Sequence, residues 1–213
     1  MKNLSKIKLL IFDFDGTLFD TSLDIANAVN FGLKQFGKEE LDPFIVWSYT
    51  GDGLLNTIKR AFSTNDINTI QKAYEIVLQY YEEHSGENSK PIDNVLEFLD
   101  KDKRRKVILS NKNFVPLLKV LEKFKIKEKF EKIYGFDSLP FAKPDPRTVD
   151  FILNETGVER NEAVIIGDAE QDIQTAKNAN IRCYIIPSKP INMTHQCILF
   201  KDYNELELLL EKT

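Results

Sequence analysis

The sequence predicts an α/β fold, a doubly wound parallel sheet with an inserted all-helical cap domain, and three observations predict it. Short apolar runs recur at Leu9 to Phe12, Val107 to Leu109, Ala163 to Ile166 and Tyr184 to Ile186, each bounded by charged, Gly or Pro residues. Runs that are apolar at every position suit strands buried on both faces. Helical periodicities separate the last three runs, whereas the stretch from about Ser22 to Ser85 reads as helix throughout.

In chain order, the first strand is followed at once by the insert. Ile25, Ala28, Val29 and Leu33 share one helical face, as do Leu54, Leu55, Ile58 and Ala61, and then Ile70, Ala73, Val77 and Tyr80. A helical block placed directly after the first strand forms a small lobe above the carboxyl edge of the sheet, where lids belong. The expected division is therefore a Rossmann-like core from residues 1–20 and 86–213, with the cap at 21–85. From about residue 90 helix and strand alternate: Val95, Phe98 and Leu99; the second strand; Val115, Leu118, Leu121 and Ile126; Val149, Ile152 and Leu153; the third strand; Ile173, Ala176 and Ala179; the fourth strand. In such a sheet the ligand crevice lies at the carboxyl ends of the strands. The dense charge run from Lys101 to Lys106, KDKRRK, is expected to be a solvated face.

Composition narrows the function classes. The 213 residues, 42% hydrophobic and 29% charged, suffice for one domain with a modest insertion and argue against disorder. A net charge of -4 supplies no field that would draw a nucleic acid polymer, so a phosphate-bearing partner must be held by a local site. Cys183 and Cys197 form no C-x-x-C pair and neither stands beside a histidine at ligand spacing; zinc is not expected, and the thiols read as buried or idle in a reducing compartment. The apolar run from Ile7 to Phe12 is interrupted by Lys8 and closed by Asp13 and Asp15, too short and too charged for a signal peptide or membrane span. A cytoplasmic location with no membrane partner is the expectation, as monomer or homodimer. His84 and His195 have no partner at useful spacing and are expected at the surface.

Four motifs follow the predicted strands. The first strand ends in Asp13-Phe14-Asp15-Gly16-Thr17-Leu18, so two carboxylates leave it on the same side. Their mutual repulsion is relieved by a divalent cation, and hard magnesium takes such oxygen ligands. Gly16 lets the chain turn sharply, and Thr17 can offer its hydroxyl and backbone N–H to a phosphate oxygen. The alternative is a strand-end turn with solvated aspartates. The second strand ends in Ser110 and Asn111, which put a hydroxyl and an amide at its tip as candidate substrate ligands; such residues also cap helices. Lys143-Pro144-Asp145-Pro146 presents one ammonium before a helix, a position otherwise expected to face solvent. In Gly167-Asp168-Ala169-Glu170-Gln171-Asp172, Asp168 and Asp172 can complete an acidic metal cup, although acids also favour a helix start. Together these supply a nucleophilic carboxylate, an acid/base carboxylate, a hydroxyl, a cation and a metal cup, the parts phosphoryl transfer requires.

The same segments, DFDGTL, LSN, KPDP and GDAEQD, spanning residues 13 to 172, resemble the signature of the haloacid dehalogenase-like hydrolases. DGTLFDTS, the SNK triplet and the helical insert are similar to the phosphoglycolate phosphatase-like branch. The resemblance implies a magnesium-dependent phosphatase acting on a small phosphorylated metabolite through an aspartyl-phosphate. It assigns the nucleophile to Asp13, the general acid/base to Asp15, phosphoryl hydrogen bonding to Ser110, and charge neutralisation to Lys143. It places the metal at Asp13, the main-chain carbonyl of Asp15, Asp168 and, as a further acidic member, Asp172. Ala169 departs from relatives that carry a hydroxyl there, which bears on hydrogen bonding around the cup. Phosphomutase chemistry of the same family stays open. A phospho-accepting receiver domain combines similar groups but needs about half this length and no insert. In the cap, the Gly51-Asp52-Gly53 turn is the segment expected to dip toward the core or merely to join two helices; Trp47 and Tyr49 are expected in the cap core; and Asp52, Lys59 and Arg60 are expected to select the leaving group.

Overall fold

A computed structural model describes residues 6–192 and 195–212. In chain order the elements are β1 (Leu9–Phe12), β2 (Phe19–Asp20), α1 (Ser22–Gln35), α2 (Pro43–Ser48), α3 (Leu54–Phe62), α4 (Ile67–His84), β3 (Lys90–Pro91), α5 (Val95–Lys101), β4 (Arg105–Leu109), α6 (Phe114–Lys123), β5 (Lys132–Tyr134), α7 (Arg147–Thr156), β6 (Ala163–Gly167), α8 (Glu170–Ala179), β7 (Arg182–Ile185), β8 (Ile198–Leu199) and α9 (Tyr203–Glu211).

Six strands form one parallel sheet in the order β5-β4-β1-β6-β7-β8. Because side chains alternate along a strand, each central strand contributes to both faces. Leu10, Phe12, Ile108, Val164 and Ile166 pack on one side with Val95, Leu117 and Leu206 of α5, α6 and α9. Leu9, Ile11, Val107, Ala163 and Ile165 pack on the other with Val149 and Ile173 of α7 and α8. Coverage of both faces explains why these strands read as continuous apolar runs. The chain runs outward from β1 to β4 and β5, then returns to β6 on the other side of β1. The tips of β1, β4 and β6 therefore meet at the topological switch point.

Two strands of this sheet escaped the sequence reading, as did the two-residue strands β2 and β3 outside it. β5 and β8 are edge strands of three and two residues with half-exposed or exposed side chains, so they lack the apolar signature of a buried strand. β4 also begins two residues early, because Arg105 and Lys106 pair with Leu9 and Leu10. The charge run there is a solvated face at Lys101, Lys103 and Arg105, which are exposed, but not at Lys106. Lys106 is 4% exposed and pairs with Asp102 at 3.2 Å, while Arg105 holds Glu131 at 2.6 Å.

Helices α1 to α4 gather their own apolar cluster, including Val29, Leu33, Val46, Ile58, Phe62, Ala73 and Val77. The chain enters and leaves this block through the antiparallel ribbon of β2 and β3. Asp24, buried in the first turn of α1, accepts hydrogen bonds from the backbone N–H of Gly86 (3.0 Å) and Asn88 (2.8 Å) and from the Ser89 hydroxyl (2.5 Å). The start of α1 and the segment that leads from α4 into β3 are thus tied at one carboxylate. Among the described residues, no helix is long and apolar enough to cross a membrane. Cys183 is buried and Cys197 half-buried, and both are free thiols. His84 lies 2.9 Å from Glu87 and stacks on Tyr80, partners three and four residues away that the sequence reading overlooked.

Candidate active site

At the tip of β1 the Asp13 backbone donates to the Ile166 carbonyl at 2.8 Å, which fixes the first carboxylate beside β6. Gly16, at φ +83°, turns the chain away; any Cβ there would overlap the Asp168 carboxylate. A Cβ on Gly167 would likewise overlap the carboxylate of Asp172. Both glycines are therefore required by crowding among acidic side chains. Lys143 enters between them. Its Nζ lies 2.9 Å from Asp13 Oδ1 and donates to Asp172 Oδ1 at 2.7 Å, with 3% of its side chain exposed. Asp172 Oδ2 accepts from the backbone N–H of Asp168 and Ala169, both at 3.1 Å, so this carboxylate also caps α8.

Charge at this point is unbalanced. Oxygens of Asp13, Asp168 and Asp172 lie within 4.8 Å of one another, and the one ammonium among them leaves a local excess of two negative charges, three minus one. Burial pushes the Asp168 carboxyl well above the usual carboxylate range, with the fields of Asp172 and Asp13 adding to it. Burial also raises Asp172, against the opposing pull of Lys143. For Lys143 burial acts downward, but Asp13 and Asp172 outweigh it and hold the ammonium above its usual value. Although Asp13 Oδ1 is in ion-pair range of Lys143, it accepts no well-aligned hydrogen bond. A buried, oxygen-only donor set with surplus negative charge and an orphaned carboxylate oxygen fits a hard divalent cation. No cysteine or histidine joins this group.

Asp15 points elsewhere. Its Oδ1 accepts from the Thr21 hydroxyl at 2.6 Å and from Lys112 Nζ at 2.9 Å, and its carboxylate is outside the three-carboxylate group. Lys112, 5% exposed, also meets the hydroxyl of Tyr81 on α4. Ser110, at the tip of β4, borders the cavity together with Asp13, Asp15 and Asp168.

Two residues expected to hold substrate have side chains engaged within the protein, Asn111 while lining the cavity and Thr17 away from it. Thr17 is fully buried, and its hydroxyl donates to Asp168 Oδ1 at 3.1 Å rather than facing the cavity. The Asn111 amide donates to the carbonyls of Lys143 and Gly51, both at 3.0 Å, and accepts from Lys143 N at 3.1 Å. Both side chains position other members of the site. A motif read as a string of donors does not reveal which of them the neighbouring motif has already engaged.

The cavity measures about 60 Å³ and lies between the strand tips and the helical block, where Ile25, Trp47, Thr50, Gly51, Leu54 and Tyr81 face it. The Gly51 turn does dip to the core, and Trp47 lines the cavity as well as packing against the helical cluster. Asp52 and Arg60 instead bind each other through two contacts of 2.7 and 2.5 Å and border an adjoining opening, while Lys59 is exposed. Ser188 and Lys189 were missed. The Ser188 hydroxyl donates to Asp168, and Lys189 reaches Thr50 at 2.7 Å. They follow β7, so the rule that ligands collect at carboxyl ends of strands applied to them equally.

A sequence profile described as haloacid dehalogenase-like hydrolase matches residues 10–186. The chain is 31% identical to a phosphoglycolate phosphatase of Colwellia psychrerythraea, covering 98% of this chain and 99% of that protein. It is 33% identical to a phosphoglycolate phosphatase of Psychrobacter arcticus over 82% of this chain and 80% of the relative. The crystal structure of a predicted phosphoglycolate phosphatase from Haemophilus somnus superposes with a TM-score of 0.86 at 22% identity, covering 97% of this chain and 99% of that one, and so shares the fold.

Proposed function

The chain belongs to the haloacid dehalogenase-like hydrolases and is a phosphoric monoester hydrolase, and from that premise we propose that it is a magnesium-dependent phosphatase of small anionic esters, phosphoglycolate first among them, working through an aspartyl-phosphate on Asp13. The observation that carries this reading is Asp13 itself. Its carboxylate borders the cavity, carries an oxygen without an aligned hydrogen bond, and stands beside one ammonium and two further carboxylates.

Asp13 and Asp168 would hold the magnesium ion, with the main-chain carbonyl of Asp15 and the more enclosed Asp172 as further candidates. When bound, the cation offsets the surplus negative charge and lets an anionic ester approach an anionic nucleophile. Lys143 orients Asp13 and neutralises part of the phosphoryl charge, while Ser110 donates to a phosphoryl oxygen. Asp13 attacks phosphorus in line, and the departing alkoxide takes its proton from Asp15. Asp15 then removes a proton from the water that opens the aspartyl-phosphate. Thr17 and Asn111 fix Asp168 and Lys143 in place, and Thr21 and Lys112 hold the Asp15 carboxylate. Residues 21–85 act as the cap, closing over the leaving group and excluding water.

Phosphate release from phosphoglycolate and a panel of other monoesters, with and without magnesium, tests this reading. Release that needs magnesium and favours a small anionic ester is expected. Turnover undiminished by exhaustive chelation, or no turnover of any monoester, would overturn it.

A further inference from the structure

Three lysines border the site, and two have a carboxylate counter-charge: Lys143 lies against Asp13 and Asp172, and Lys112 against Asp15. Lys189 has none among the described ion pairs. Its ammonium donates to the Thr50 carbonyl at 3.1 Å and the Thr50 hydroxyl at 2.7 Å, and sits 4.2 Å over the face of Trp47. Burial draws this ammonium below its usual pKa, opposed by acidic residues acting from beyond contact distance. A half-buried cation that touches only neutral acceptors has no carboxylate in contact with it, so an anion brought to contact distance gains attraction beyond what the more distant acidic residues supply.

Position gives this cation a role. The neighbouring residue, Ser188, is bonded to Asp168, so the loop that carries Lys189 is fixed beside the carboxylate cluster. The helical block faces the cavity with the apolar side chains of Ile25, Trp47 and Leu54, and beside them Lys189 is the cation without a carboxylate in contact. We propose that Lys189, held at the cavity by its bonds to Thr50, is the specificity-determining cation for the leaving alcohol, receiving a carboxylate on a short, two-carbon-sized chain. The Thr50 hydroxyl gives its proton to the Trp47 carbonyl at 2.8 Å and accepts from Lys189, so the ammonium alone supplies the charge that a monoanion matches. Lys189 is borne by the core and bonded to the helical block, so an anion at its ammonium sits at the junction of the two.

The proposal rests on the phosphatase reading, and the test separates the two. Steady-state constants would be measured with magnesium for phosphoglycolate and for 2-hydroxyethyl phosphate, whose leaving group has the same length and no charge. The wild type is expected to favour the carboxylate ester at least tenfold in kcat/KM. In Lys189→Met this preference should fall by roughly tenfold to a hundredfold, chiefly through KM, as expected for loss of a charge-assisted hydrogen bond. Lys189→Arg should restore most of it. The ratio between esters does not depend on the fraction of enzyme folded, so a damaged variant still gives an answer. Equal proportional losses for both esters would overturn the subsite and leave Lys189 as a tie between core and helices. Failure of the wild type with both esters while other monoesters of the panel are hydrolysed would overturn the subsite alone, and failure with every monoester would sink the phosphatase reading and the subsite with it.

Discussion

The strand tips and the helical block face the same cavity but are held in different ways. At the tips, each chemical side chain is fixed by partners distant in sequence: Asp168 by Thr17 and Ser188, Lys143 by Asp172 and by the Asn111 amide. Their enclosure is nearly complete, with Lys143, Ser110 and Asp168 each less than a tenth exposed. The helical block meets the core through hydrogen bonds at several places, among them Asn111 to Gly51, Lys189 to Thr50, Lys112 to Tyr81, Asn113 to Tyr74 and Asp24 to Gly86, Asn88 and Ser89. Its own cohesion comes from a separate apolar cluster. On the function proposed above, the difference assigns the chemistry to the enclosed strand tips and selection to the helical block, which has a core of its own.

The largest expected effect is at the strand tips. Asp13→Asn should lower phosphate release by more than about a thousandfold, because an amide keeps the shape but not the nucleophilic charge. Thermal unfolding should stay near wild type, and intact-protein mass spectrometry should find no phosphorylated species. Residual turnover within tenfold of wild type would move the nucleophile elsewhere.

Asp168→Asn comes next. The magnesium concentration for half-maximal rate should rise at least about tenfold, since one of three clustered carboxylates is lost. Any ligand of the native state stabilises it by mass action, so the rise in Tm that magnesium gives the wild type should shrink in this variant. The Tm measurement needs no turnover, and an unchanged magnesium response would remove Asp168 from the metal site.

Thr17→Val sharpens the comparison further. If the hydroxyl positions Asp168, as its 3.1 Å bond indicates, kcat and the magnesium requirement should change while KM for substrate stays within about twofold. A selective rise in KM would return Thr17 to the substrate.

The smallest effect is expected for Arg60→Gln on the helical side. Its pairing with Asp52 is partly solvent-exposed, so stability should fall by less than about 1 kcal/mol. The ranking of esters should hold, since neither side chain faces the main cavity. A reordered ranking would extend selection to the adjoining opening.

Much of this was legible in the sequence. Leu9 to Phe12 and Ala163 to Ile166 announced central strands because burial on both faces leaves an unbroken apolar run. The carboxylates and lysine stood out because they follow strands or precede helices at a sheet's ligand edge. β5 and β8 did not, since a short edge strand with exposed side chains carries no periodicity. Lys106 misled for the opposite reason. Charge in a run predicts solvent unless a partner such as Asp102 is waiting in the fold.

By itself, then, the sequence determined the alternation of strand and helix, the place of the helical block, and the gathering of Asp13, Asp15, Ser110, Lys143 and Asp168 near one edge. These follow from local periodicity and from position relative to a strand end. Only the tertiary structure decided where each side chain points. Thr17 turns to Asp168 across 151 residues, Asn111 to Lys143 across 32, and Lys189 to Thr50 across 139. A buried donor turns to whichever acceptor the fold brings beside it, because leaving either group unpaired costs about 1–3 kcal/mol, and that acceptor is set by packing rather than by the neighbouring sequence.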